Sequence, residues 1–412
     1  MLNKTVLFFL VLIQLSVVDL KAQSAGSPYS IFGIGDLNRF GSSVFNHLSS
    51  TGLAVTKPGY YNNLNPAANR SSNLYNSYFN LGFNISRFRL ETLSETETFS
   101  RGDFTELSLM FQLNNRSNLF FGFEPFSSVN YSLDRENFRL SNNEVIDVQF
   151  RGDGGLSTIY LGTSYSISKS FSLGLRGNFY TGSINRFEEG VVDQTSTFVQ
   201  TQDNLSLNGI DLTLGFTNTF EIGKTKLDLG GTYSTGSRFN TTSNFQISQN
   251  QFLVFENEDE EPDDVYVVPQ KFGLGTSIQT KRIQYSLDYS YELWSEGDLD
   301  SQDSEFDDVQ RVSAGFEYRN SNENLKKYIQ FLTFRGGIFV QNSYLKIENT
   351  SFTEYGFSAG ISLPFRGGNE LSLGYQWQKT GTLDNGLIRE VQQNYTFNIL
   401  FRNVWFNQRK IN

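Results

Sequence analysis

Cysteine is absent from the 412 residues and histidine occurs once, as His47. Those two facts remove most side-chain chemistry. Without thiols there is no thiolate nucleophile, no disulfide framework and no Cys-ligated zinc. A serine hydrolase needs a histidine beside its nucleophile. His47 alone could supply it, and it lies ahead of the first strand, off any strand face. A hydrogen-bonded structural histidine, in a chain that is not an enzyme, is the expectation. Carboxylates are plentiful, and residues 256–264 and 296–308 carry seven each. Glycosidase work needs two carboxyls at fixed separation, one of them held protonated. Acids crowded into loops stay ionised and solvated instead. Asp298, Asp300, Asp303 and Asp307 offer hard oxygen ligands of the kind Ca2+ takes. The glycine of a helix–loop–helix calcium site is missing, so the expectation is an anionic surface able to hold Ca2+ loosely, with no resident cofactor. A formal charge of −10 gives no electrostatic reason to bind nucleic acid.

The elements that carry these residues are strands. Only 38% of the chain is hydrophobic and 18% charged, while 15% is aromatic. Soluble chains run near 45–50% apolar and about 25% charged. Low hydrophobicity with many aromatics fits a membrane β-barrel, in which every second strand residue faces lipid. Residues 1–22 carry Lys4, an apolar stretch from Val6 to Val18 and Ala22 before Gln23, the pattern of a cleaved secretory signal peptide. Beyond it, period-2 alternation dominates. Leu371, Leu373, Tyr375 and Trp377 share one face, and Ser372, Gly374 and Gln376 the other. The rhythm predicts about fourteen strands: 74–92, 103–114, 117–132, 154–167, 170–183, 206–221, 225–240, 266–280, 282–295, 308–319, 327–342, 352–365, 368–380 and 390–406. These are longer than the roughly 5–6 residues usual in soluble sheets. Short connections alternate with long ones at 93–102, 133–153, 184–205, 241–265, 296–307, 343–351 and 381–389. That is the outer-membrane arrangement, with short periplasmic turns and both termini in the periplasm. On the polar phase, Arg176, Asp211, Asp228, Asp288, Glu292, Arg311, Glu317 and Arg335 need partners inside the lumen. On the other, Tyr291, Trp294, Tyr328, Trp377 and Trp405 are candidate interfacial girdle residues.

Residues 23–70 show no strand rhythm. They contain Ser27-Pro28-Tyr29-Ser30-Ile31-Phe32-Gly33, then Gly52-Leu53-Ala54, then Asn65-Pro66-Ala67-Ala68. A fourteen-strand barrel has room for more than its own side chains, so this segment is expected to plug the lumen. Gly52, Asn65, Pro66 and Ala67 resemble the hatch signature of the FadL-type long-chain fatty-acid transporters. The resemblance implies an all-β fold: a 14-stranded antiparallel transmembrane barrel over 71–412 with an N-terminal hatch over 23–70. It also implies passive uptake of a hydrophobic small molecule with sideways release into outer-membrane lipid. A branch of the same fold implies the alternative, a non-transporting barrel subunit with a protein partner in an outer-membrane secretion or assembly complex. Within the third strand stand Glu124 and Pro125. Proline cannot donate to the ladder and is found at edges and bulges. In the resembled transporters a kink in the third strand forms the lateral opening, so Glu124-Pro125 marks either that opening or a bulge near the outer rim.

Overall fold

The computed structural model describes residues 26–38, 43–57, 59–71, 77–139, 145–192, 197–260, 265–298, 304–320, 328–347 and 349–403. The expected signal peptide and Trp405 lie outside them. Fourteen strands form the wall: β1 (Ser77–Glu91), β2 (Thr96–Gln112), β3 (Ser117–Pro125, continuing as Ser127–Arg139), β4 (Val145–Ser166), β5 (Phe171–Val192), β6 (Thr197–Ile222), β7 (Thr225–Ser234), β8 (Gln270–Gln279), β9 (Ile283–Leu293), β10 (Val309–Arg319), β11 (Thr333–Ile347), β12 (Thr350–Pro364), β13 (Glu370–Thr380) and β14 (Arg389–Asn403). Each pairs antiparallel with its neighbours, and β14 pairs with β1 from Arg389↔Glu91 to Asn403↔Ser77, which closes the barrel. Closure removes the edges that an open sheet would expose.

Alternation decides which side of the wall each residue takes. On β6, Ile210, Leu212, Leu214 and Phe216 point outward and are exposed, while Asp211, Thr213 and Thr217 point inward and are buried. The outward apolar series on β5 runs from Leu173 to Phe179, and on β4 from Tyr165 to Ile159. Beyond Ile210 and Phe179 the outward residues turn polar, as at Asn208, Ser206 and Ser183. The apolar band therefore ends there, while the strands continue.

The continuation departs from the expected loops. Most of 133–153, 184–205 and 241–260 is strand. The upper parts of β3 to β6, with the hairpin Asn240–Gln249 and Phe252–Glu260, form a sheet that projects past the apolar band. Apart from 252–255 its outward residues are largely polar, and only scattered inward ones such as Ile184 and Leu205 join the core, so the sequence carried little hydrophobic alternation to mark it. The expected loop at 343–351 is also shorter than read, because β11 and β12 are strand to Ile347 and from Thr350.

At this long-loop end the lumen is filled by a hydrophobic core. Trp294, Tyr266, Val267, Phe306, Tyr344, Leu345, Leu205 and Ile184 pack together there with Ile34. Trp294 is 1% exposed and donates Nε1–H to Glu292 at 3.0 Å. It is a core residue and not a girdle residue; it follows β9 in a short 3-10 turn and continues the inward phase of Asp288 and Glu292.

Candidate functional site

Residues 43–57 and 59–70, where the hatch was expected, pack against the inner face of the wall, and many of their polar groups are paired with it. The Asn65-Pro66-Ala67 signature starts a single 3-10 turn, Pro66–Ala68. Asn65 caps it, accepting the Ala67 N–H at 3.0 Å, and donates to the Leu53 carbonyl at 2.7 Å and the Phe216 carbonyl at 3.1 Å. Pro66 suits the first helical position because no partner for its missing N–H is needed there. Gly52 and Leu53 donate their backbone N–H groups to one oxygen of Asp288, at 2.6 and 2.8 Å.

Close approach is permitted by glycines on the wall. A methyl group placed on Gly174 or Gly215 would run into Ala67 and Asn65; on Gly230 or Gly275 it would meet Leu53. On Gly337 it would meet Leu48, and on Gly360 or Gly374 the ring of His47. Paired registers join these positions around the wall: Gly174↔Gly215, Gly230↔Gly275, Gly275↔Asp288 and Gly360↔Gly374. From β5 round to β13 the wall thus offers a belt of small residues into which the hatch backbone is keyed.

His47 fills one notch of that belt. It is 1% exposed, its ring lies against Gly360 and Gly374, and Nε2 is 3.0 Å from Thr396 Oγ1. Burial and the nearby Arg335 guanidinium push its pKa down to about 3, so the imidazole is neutral. A substrate cannot reach a ring held this way, which removes the one histidine from catalysis. Toward the short-turn end, Lys57 pairs with Glu317, which also receives Arg335 Nε at 2.8 Å. Tyr60 donates to Glu370 at 2.5 Å, with Lys57 and Arg402 each 4.4 Å from its ring centre. The inward charges picked out in the sequence meet the hatch as anticipated: Arg176 donates to the Asn63 carbonyl and Arg311 to the Ser49 carbonyl, both at 2.9 Å.

Glu124 and Pro125 stand where the β2–β3 ladder ends. The β2–β3 ladder runs from Gln112↔Asn118 to Leu107↔Phe123 and stops. Glu124 accepts from Asn63 at 3.0 Å and faces Arg176 at 3.7 Å, which ties the strand to the hatch. Past Pro125 the edge of β3 that should meet β2 meets the hatch instead, with Asp36↔Ser128 and Leu37↔Ser127 in register and Asn38 donating to Phe126 at 2.8 Å. On the far side, Gly154 and Gly155 at φ 115° and 142° absorb the kink in β4. Between this seam and the hatch lies a cavity of about 390 Å³. Phe88, Phe104, Phe123, Leu37, Phe339 and Phe352 line it together with Asp36, Glu354, Gln376, Glu390 and Gln392, so its wall is mixed, apolar and polar.

Among the described residues the acidic loops gather no ligand set. Asp298 is exposed and held through its backbone to Val265, and Asp307 accepts from Ser351 at 3.1 Å. Asp300 and Asp303 lie outside the described residues. Among the described residues no three His, Cys, Asp or Glu side chains are grouped to hold a metal ion.

A family model for BamG matches residues 1–412. The chain belongs to the BamG family. No curated protein matches it. The barrel is similar to that of a FadL homologue from Pseudomonas aeruginosa, with TM-score 0.64 and 11% identity over 90% of this chain and 100% of that one. The toluene transporter TodX of P. putida gives TM-score 0.56 and 13% identity, again over 90% and 100%. This BamG-family member therefore has the FadL-type fold of the outer-membrane barrels, carried by a sequence with little identity to either. The belt glycines were the part of the site that sequence reading missed. They sit on the polar phase of nearly every wall strand from β5 to β13, and that recurrence was the signal available.

Proposed function

We propose that this BamG-family barrel is a non-transporting subunit of an outer-membrane assembly complex, embedded in outer-membrane lipid with both termini in the periplasm. The observation that carries the reading is that the lumen is filled at two levels, by the hatch keyed into the glycine belt and by the core around Trp294 at the long-loop end. The family name adds support, since it points to the BAM machinery. An apolar solute in the 390 Å³ cavity would meet Leu37, Phe339 and Phe352 but would also take Glu390, Gln376 and Gln392 out of water without offering hydrogen bonds. The experiment is purification of a tagged copy from its native membrane in mild detergent, with mass spectrometry of proteins and lipids. A stoichiometric protein partner is the expected result; a lone barrel loaded with fatty acid overturns it.

A second reading is uptake of a hydrophobic small molecule, and the broken ladder at Pro125 favours it. FadL-like relatives and TodX share the fold, and TodX is named a toluene transporter. On this reading the seam beside the 390 Å³ cavity is the lateral exit. Pro125→Val, which gives the strand back an N–H donor, should then lower toluene or fatty-acid uptake by cells. Unchanged uptake removes this reading.

A further inference from the structure

The projecting sheet ends in a strand with one neighbour. Phe252–Glu260 pairs with Asn240–Gln249, and among the described residues nothing pairs with its other side. Soluble proteins blunt such edges with lysine, proline or a bulge. Here the edge begins Phe252-Leu253-Val254-Phe255, exposed by 78%, 55%, 62% and 48%. Successive strand residues point to opposite faces, so both faces of this edge are apolar and neither is covered by the molecule. The acidic run in the sequence begins directly after, at Glu256.

We propose that this edge takes an extended segment of a partner polypeptide by strand addition, apolar alternation lying along 252–255 and a basic run facing the acids that follow. The proposal rests on the subunit reading and names the chemistry of its partner. Main-chain bonds to a free edge give affinity, and flanking side chains give specificity. Lipid does not fit as the occupant. The outward apolar band of β6 ends at Ile210, and the tip of the hairpin pairs with β6 at Val199. Those positions are roughly 35 Å apart along a strand rising about 3.3 Å per residue. A second copy does not fit either, because residues 240–264 hold no lysine or arginine to face the seven carboxylates in either direction of pairing.

The test uses the full-length barrel in detergent and two synthetic peptides. Each has six alternating Val and Thr residues, followed in one by four lysines and in the other by four glutamates. Amide hydrogen exchange should slow over 252–257 with the lysine peptide, which should bind at least about tenfold tighter than the glutamate peptide at low salt. Val254→Lys should weaken the lysine peptide by about tenfold or more while leaving heat-modifiable gel mobility unchanged, and Glu256→Gln should weaken it less. Equal binding of the two peptides, protection elsewhere than 252–257, or full binding to Val254→Lys overturns the proposal. Purification from the native membrane separates it from the reading beneath it. A partner that stays stoichiometric on Val254→Lys overturns the edge and leaves the subunit reading standing; a wild-type barrel that purifies alone overturns both.

Discussion

Between residues 43 and 70 the chain is keyed to the wall by capped turns, charge-assisted bonds and glycine notches, so that Asn65, Thr51 and Ala54 are fully buried. At the far end of the same β4–β6 strands, the hairpin 240–260 leaves four consecutive apolar residues open to water. Both regions put backbone against a strand that lacks a neighbour. Just ahead of the first, the chain supplies the missing contact itself: Asp36 and Leu37 lie on the free edge of β3. In the other it supplies nothing. A surface that a protein finishes for itself serves stability; one left unfinished at this length and hydrophobicity marks association.

The comparison can be broken by substitutions ranked by expected effect. Gly374→Leu drives a side chain into the His47 ring and should expel residues 43–57 from the lumen. Overpacking alone costs about 1–3 kcal/mol, and here the ring has no free volume to move into. Protease cleavage within 43–70 and loss of heat-modifiable mobility would report it; a resistant, normally migrating barrel would show that the belt is not what holds the hatch. Asp288→Ala leaves the Gly52 and Leu53 N–H groups buried and unpaired and should cost about 3 kcal/mol, read from the urea midpoint of the buried Trp294 fluorescence. Acid should loosen the hatch next. His47 titrates at about 3 when docked against 6.5 free. The released state therefore binds the extra proton throughout that window, and docking weakens as pH falls through it. Near pH 5 the loss is about 2 kcal/mol, and His47→Gln should flatten the profile of protease sensitivity against pH. Pro125→Val should change stability by less than about 1 kcal/mol, since the β2-facing edge is already occupied by the hatch beyond that residue. Val254→Lys should be neutral within about 0.5 kcal/mol by the same urea measurement, as expected of a residue that packs against nothing.

Much of this was readable from residue order. The strands with an apolar face, such as Ile283–Leu293 and Glu370–Thr380, stand where the alternation put them, because lipid on one side and a polar lumen on the other impose period 2. The upper sheet was not legible, because its outward face is largely polar and its inward apolar residues, such as Ile184 and Leu205, are too sparse to set a period. Trp294 misled by its type: an aromatic at a strand end suggests an interfacial girdle, yet its position continues the inward phase of Asp288 and Glu292, and its side chain is buried in the core. Glu124-Pro125 announced a defect without revealing what fills it.

Sequence alone thus determined the barrel, its strand number and the need for a plug, since period-2 hydrophobicity is a local property written in neighbouring residues. Tertiary structure alone decided that His47 fits between Gly360 and Gly374, that Asp36 and Leu37 replace β2 at the seam, and that Phe252–Glu260 remains an edge. Those contacts join residues from ninety to more than three hundred positions apart or depend on a neighbour being absent, and no periodicity records either.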